Sequence, residues 1–258
     1  MKIKSLSIRG VEFGSGIPKI CVPITGRTDE EILNQAREIV KEKPDCIELR
    51  IDWYENVFEA EKVVVLLKNL RDIIGNHVLL FTFRSALEGG EKDISTADYV
   101  GLCQVACNSG CIDLLDVEAF MEDGLLEGLV PVAHDNRVYI VGSNHNFAFT
   151  PTEEELYQTL IQIDRMGADI PKVAVMPVKE RDVLNLLSAT LMYYEKGGTK
   201  PIITMSMKEM GLISRVAGEL VGSSLTFATV GQASAPGQIP IGRVRKILNE
   251  FSGHKSLG

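Results

Sequence analysis

No apolar run in the 258-residue sequence is long enough to cross a bilayer, and the first ten residues scatter Lys2, Lys4 and Arg9 where a signal peptide needs an apolar core. Both absences predict a soluble, unprocessed chain with no membrane partner. Neither a GxGxxG fingerprint nor a Walker phosphate loop occurs, which leaves no sequence case for a dinucleotide or ATP. A basic stripe is also lacking. With 27 Lys and Arg against 35 Asp and Glu, the net charge is −8 and the pI about 5.2, which argues against nucleic acid. Any anionic ligand must therefore be held by individual arginines. Cysteine is sparse and odd in number, with five residues in no paired spacing, and this points to a reducing cytoplasm. Cys103, Cys107 and Cys111 recur every four residues, but without a neighbouring histidine or a C-x-x-C pair they read as small core residues and not as a metal set.

What is present is a regular alternation. Eight apolar runs of strand length, at 19–25, 45–51, 78–84, 112–117, 138–145, 172–176, 201–207 and 224–230, are separated by amphipathic windows at 29–42, 57–74, 95–108, 153–166, 178–195 and 212–221, with 241–251 closing the chain. The unit after the fourth strand shows no legible helix. Thr28 followed by Glu31, and Thr150 or Thr152 with Pro151 ahead of Glu153 to Glu155, are helix-start signals. Eight consecutive β–α units without a linker predict one α/β domain over 1–258, a (β/α)8 TIM barrel, with an open doubly wound sheet as the alternative. Residues 2–13 alternate ahead of Gly14 and Gly16 and predict a short hairpin closing the barrel floor.

One residue breaks its strand. Lys172 interrupts the apolar run 170–176, and a lysine with no path to water must find an anion or give up its proton. A neutral amine is a nucleophile suited to imine formation with a ketone. The structural alternative is a strand-end lysine that snorkels to the surface. In a barrel, polar residues at the ends of strands gather around one rim. Glu48 and Arg50 share a face of strand two, Arg84 ends strand three with Glu88 in the following turn, and Ser143 and His145 share a face of strand five. Arg215 follows strand seven, and the Gly-, Ala-, Ser- and Pro-rich stretch 231–240 is long enough to serve as a lid. Each has a structural reading as well: an ion pair for Glu48 and Arg50, solvated arginines at 84 and 215, a hydrogen-bonded structural histidine at 145.

The stretches DCIELRIDW, LLFTFRSALEGGE, VGSNHNF, IPKVAVM, TMSMKEMGLISR and FATVGQASAPGQIP, in this order and spacing, resemble the type I 3-dehydroquinate dehydratases. The resemblance runs nearly end to end. It implies a (β/α)8 barrel, usually a homodimer, that removes water from 3-dehydroquinate to give 3-dehydroshikimate in the shikimate pathway, using no metal or organic cofactor. It further implies that Lys172 forms the Schiff base, that His145 moves protons with Glu88 as its partner, and that Arg215 holds the substrate carboxylate. Glu48, Arg50, Arg84, Ser234 and Gln238 are implied to bind hydroxyls or close over the ring. Some members carry a small hydroxyl residue in the first strand where this chain has Pro23, and Thr25 is the nearest substitute. A lysine-dependent aldolase is the enzymatic alternative, and a barrel that only binds is the alternative from another class.

Overall fold

Successive residues of a strand point to opposite sides, so each apolar run divides into an inward set and a set that meets the helices. The computed structural model describes residues 3–231 and 239–252. The chain begins with an antiparallel hairpin, β1 (Leu6–Ile8) and β2 (Val11–Phe13). Then follow β3 (Lys19–Ile24), α1 (Asp29–Lys41), β4 (Cys46–Arg50), α2 (Ala60–Ile74), β5 (Val78–Thr82), α3 (Thr96–Asn108), β6 (Leu114–Glu118), α4 (Leu125–Asp135) and β7 (Tyr139–Asn146). The second half continues with α5 (Glu153–Arg165), β8 (Ile170–Val175), α6 (Glu180–Glu195), β9 (Ile203–Ser206), α7 (Leu212–Val216), α8 (Gly218–Val221), β10 (Leu225–Thr229), β11 (Ile239–Pro240) and α9 (Ile241–Ser252).

Strands β3 to β9 pair in parallel in chain order, and β10 returns to pair with β3. The ring closes between β9 and β10 through a single bridge, Ile202 with Ser223, where the Ser224 N–H donates to the Ile202 carbonyl at 2.8 Å. The fold is thus the expected (β/α)8 barrel. Its lowest inward layer is apolar, with Cys21, Cys46, Val78, Leu114, Ile170, Ile203 and Leu225 in one cluster with Ile8 and Phe13 of the hairpin. The hairpin closes the floor. Outward residues such as Ile47, Leu79, Leu115 and Val173 join the larger core beneath the helices. At Gly142 a Cβ would lie 2.6 Å from Ile163 and 2.7 Å from Ala168, so only glycine lets α5 pack this closely on β7.

Every second seam of the barrel carries a polar pin at its lower end. Asp45, Asp113 and Asp169 each precede a strand, and each carboxylate accepts the N–H of the residue opposite it, Ile20 at 2.8 Å, Leu79 at 2.9 Å and Ile140 at 2.8 Å. Their own N–H groups donate back to the carbonyls of the same three residues. At the β9–β10 seam the Ser223 hydroxyl plays a similar part, accepting from the Thr204 N–H at 3.0 Å.

Both helix-start signals hold. Thr28 accepts from the Glu31 N–H, and Thr152 with Glu155 forms a reciprocal capping box. Three features depart from the sequence reading. Helix α4 was not legible, because Gly124 precedes it and Gly128 and Pro131 lie inside it, which erases the usual start and continuity signals. The window 212–221 is two short helices broken at Ala217, where Gly218 lies so near Pro18 and the Ser223 carbonyl that a Cβ would be 2.8 and 2.7 Å from them. Strand β8 starts at Ile170, so Lys172 is its third residue and not its first.

Candidate active site

Above the apolar floor the inward positions become polar. A cavity opens there, and Glu48, Arg50, Arg84, Glu88, His145, Lys172 and Arg215 all line it. Thus seven residues predicted from sequence converge on one space. Ser234 and Gln238, with most of the stretch 231–240, lie outside the described residues. Pro23 and Thr25 line a separate groove beside α1, where the Thr25 N–H donates to Gln35 Oε1 at 2.9 Å. Thr25 therefore does not replace a first-strand hydroxyl at this cavity. Met205, Met207, Ala174, Phe147 and Phe227 supply its apolar wall.

Lys172 is 3 % exposed, and its amine has found an anion: Nζ donates to Asp116 Oδ2 at 2.9 Å. The surface-snorkelling reading is excluded. In register, Lys172 is level with Ser143 of β7, while Ala174 is level with His145, so the lysine starts two residues deeper than the histidine. The Phe227 ring centroid is 5.1 Å from Nζ, a cation–π distance.

His145 and Glu88 meet across the mouth, with Nδ1 and Oε2 2.8 Å apart. Glu88 also accepts from the His145 N–H at 3.1 Å and from Asn144 Nδ2 at 3.2 Å. A tight turn presents it: the Glu88 and Gly90 N–H groups donate to the Ser85 carbonyl, Gly89 takes a φ of +81°, and a Cβ on Gly90 would collide with the Arg84 carbonyl. The glycine pair of the motif is thus required by backbone shape.

Arg84 is the hub of the charge network. Its guanidinium donates to Asp116 at 2.6 Å, Glu118 at 2.9 Å, Ser143 Oγ at 3.1 Å and Glu88 at 3.3 Å. Burial alone would lower its pKa, but Asp116, Glu118 and Glu88 outweigh this and raise it. Glu48 and Arg50 are not an ion pair with each other. Glu48 accepts from Thr82 Oγ1 at 2.9 Å, whereas Arg50 makes two 2.8 Å bonds to buried Asp52. Arg215 is 3 % exposed, and burial lowers its pKa to about 10.

The Type I 3-dehydroquinase family profile matches residues 20–255. The chain belongs to the type I 3-dehydroquinase family. It is 44% identical over 254 residues to the 3-dehydroquinate dehydratase of Clostridioides difficile strain 630, covering 98% of this chain and 99% of that one. A solved type I 3-dehydroquinate dehydratase from Clostridium difficile, carrying covalently modified comenic acid, superposes with a TM-score of 0.95 over 98% of this chain and all of the other. The 3-dehydroquinate dehydratase of Geobacillus kaustophilus follows with a TM-score of 0.94 at 38% identity, covering 97% of each chain.

Within this type I 3-dehydroquinase, sequence reasoning missed Asp116 and Glu118. Both are inward on β6 and at most 2 % exposed. Their signal is the run Asp116-Val117-Glu118, two carboxylates on one face of an otherwise apolar strand, which the reading to residue 117 cut in half. Cys103 and Cys107 of α3, with Cys111 just beyond its end, pack in the helix-side core as small buried residues. Among the described residues no helix is long and apolar enough to cross a membrane.

The His145–Glu88 pair makes stability depend on pH. Burial, with Arg84 and Lys172, holds His145 well below its ordinary 6.5, so its contribution is lost as pH falls through about 6.5, where the unfolded chain takes up a proton. Burial pushes Glu88 up to about 8 from 4.5, against the opposing pull of Arg84. Its contribution is complete below 4.5 and lost as pH rises through about 8. Below about 6.5 the two oppose each other; between about 6.5 and 8 the Glu88 effect acts without that opposition. Stability is expected to fall by on the order of 2 kcal/mol across that interval, a few degrees in Tm, and Glu88→Gln to flatten the decline. Thermal melts at half-unit pH steps measure both.

Proposed function

We propose that this chain acts over its whole length, 1–258, as one (β/α)8 catalytic domain that eliminates water from 3-dehydroquinate through an imine to give 3-dehydroshikimate. The observation that carries the reading is a buried lysine amine on the cavity wall, with a His145–Glu88 pair on the same cavity.

Lys172 gives up one proton to His145 or to a water, its freed Nζ attacks the ring ketone, and the carbonyl oxygen departs as water, carrying that proton and one from the nitrogen, to leave an iminium. His145 then takes the proton from the adjacent carbon as the electron pair of that C–H bond moves into the iminium. The resulting enamine pushes back, the ring hydroxyl leaves, and His145 returns the proton to it. Water finally cleaves the iminium and frees Lys172. In this scheme Glu88 sets the imidazole orientation through Nδ1, so that Nε2 serves the substrate. Arg215 offers its planar fork to the substrate carboxylate and turns the correct hydrogen toward His145. Glu48, Arg50, Arg84, Ser234 and Gln238 are assigned to the ring hydroxyls and to closing the site. We further infer a homodimer, on the family resemblance, in a reducing cytoplasm, in keeping with five buried free cysteines.

The test is incubation with 3-dehydroquinate, following the ultraviolet absorbance of the conjugated product. Carbon–carbon cleavage products in its place would point to an aldolase, and no reaction to a binding protein. Arg215→Ala is expected to lower kcat/KM about 100- to 1,000-fold, because a charge-assisted bidentate pair is lost at a buried site. Steady-state kinetics check this, and a change below threefold would remove Arg215 from the site.

A further inference from the structure

We propose that Asp116 is a positioning residue that serves as the fixed counter-charge of the Lys172 nitrogen, paired with the ammonium at rest and with the iminium during turnover. The proposal rests on the imine reading of Lys172. Asp116 does not line the cavity and is 1 % exposed, so it acts on substrate only through the lysine. Its Oδ2 faces Nζ at 2.9 Å, while Oδ1 accepts from Ser143 Oγ and Arg84 Nη2, both at 2.6 Å. A carboxylate held at three points cannot follow a moving partner.

The layer behind it is held as well. Arg84 is bound to Glu118, whose two oxygens accept from the Ser85 N–H at 2.8 Å and the Ser85 hydroxyl at 2.7 Å. Burial would raise the pKa of Asp116, but Arg84 and Lys172 hold it well below the usual carboxylate range. Asp116 is therefore a permanent charge and does not act as a base.

The reaction calls for such a charge. An ammonium and a ketone give an iminium and water with no net gain or loss of protons, so the nitrogen carries one positive charge before and after the covalent step. A preset anion serves both states without reorganising. In the enamine the nitrogen is neutral, and Asp116 favours the return of positive charge to it, which drives the electron pair toward the departing hydroxyl.

Asp116→Asn keeps the shape and removes the charge. Wild-type enzyme, substrate and borohydride are expected to place the reduced ligand on Lys172; an unlabelled wild type overturns the imine reading itself. With wild type labelled, Asp116→Asn is expected to label at least tenfold more slowly and to lose about 100-fold in kcat with KM within threefold, and Asp116→Glu to recover part of the kcat. Wild-type labelling and turnover in Asp116→Asn overturn the proposal, as does an equal loss in both variants with KM raised, which is the mark of a merely structural residue. Should Asp116→Asn fail to fold, isotope-edited infrared spectra of wild type with bound product decide. A C=N stretch that shifts in D2O from pH 6 to 9 marks an iminium held protonated, and a stretch that does not shift overturns the proposal.

Discussion

Lys172→Ala is expected to lower turnover about 100,000-fold, roughly 7 kcal/mol of transition-state stabilisation, and to abolish borohydride-dependent labelling. Without the amine, removal of the proton leaves an enolate, and no positively charged nitrogen on the ring accepts the electron pair. The remaining side chains still orient the ring, so substrate binding should survive in weakened form. Folding should survive as well, because Asp116 keeps Arg84 and Ser143 as partners. Residual activity within a factor of ten of wild type would show that the covalent route is wrong.

His145→Ala should separate covalent capture from elimination. Turnover is expected to fall about 10,000-fold, the upper end for acid–base catalysis, since the same imidazole takes the ring proton and returns it to the hydroxyl. Trapping should continue, because the attacking atom is still present. Quantified by intact mass after reduction, the variant is expected to accumulate the substrate-derived adduct in excess of the product-derived one. Equal trapping in the Lys172 and His145 variants, or none in either, would reverse the assignments. A free imidazole added to the His145 variant offers a further check, since recovered turnover would place the missing function in proton transfer.

Much of this site could be read before any coordinates, because a charged side chain in a buried strand has few explanations. Glu48 and Lys172 lie within apolar runs and Arg84 follows one, and all three reach the same cavity. The barrel was legible for a related reason: a parallel strand covered on both faces needs continuous apolar sequence, and eight such runs are hard to mistake. Partnership was less legible. The spacing of Glu48 and Arg50 suggested that they pair, yet Arg50 turns to Asp52 and Glu48 to Thr82, because both better-placed groups lie beyond the strand in which the pattern was sought. Asp116 escaped for a different reason. Its role depends on a residue 56 positions away, and no local pattern records a contact across a barrel.

Helix α4 was missed because intrinsic preference and tertiary demand disagree there. Pro131 and Gly128 oppose a helix, but Leu126 and Leu129 bury a face on the barrel and outweigh them.

The pins at the lower seams bear on the chemistry above them through parity. In a strand, a slip of one residue exchanges inside for outside. If β6 slipped by one against β5, Asp116 and Glu118 would turn toward the helices while Leu115 and Val117 entered the cavity. Asp45, Asp113, Asp169 and Ser223 each tie one strand to its neighbour near the start of the ladder, well below the catalytic layer. They act as a phase reference, set once at the closed end and carried upward by the pleat to the level where a single odd step would leave an amine facing leucine.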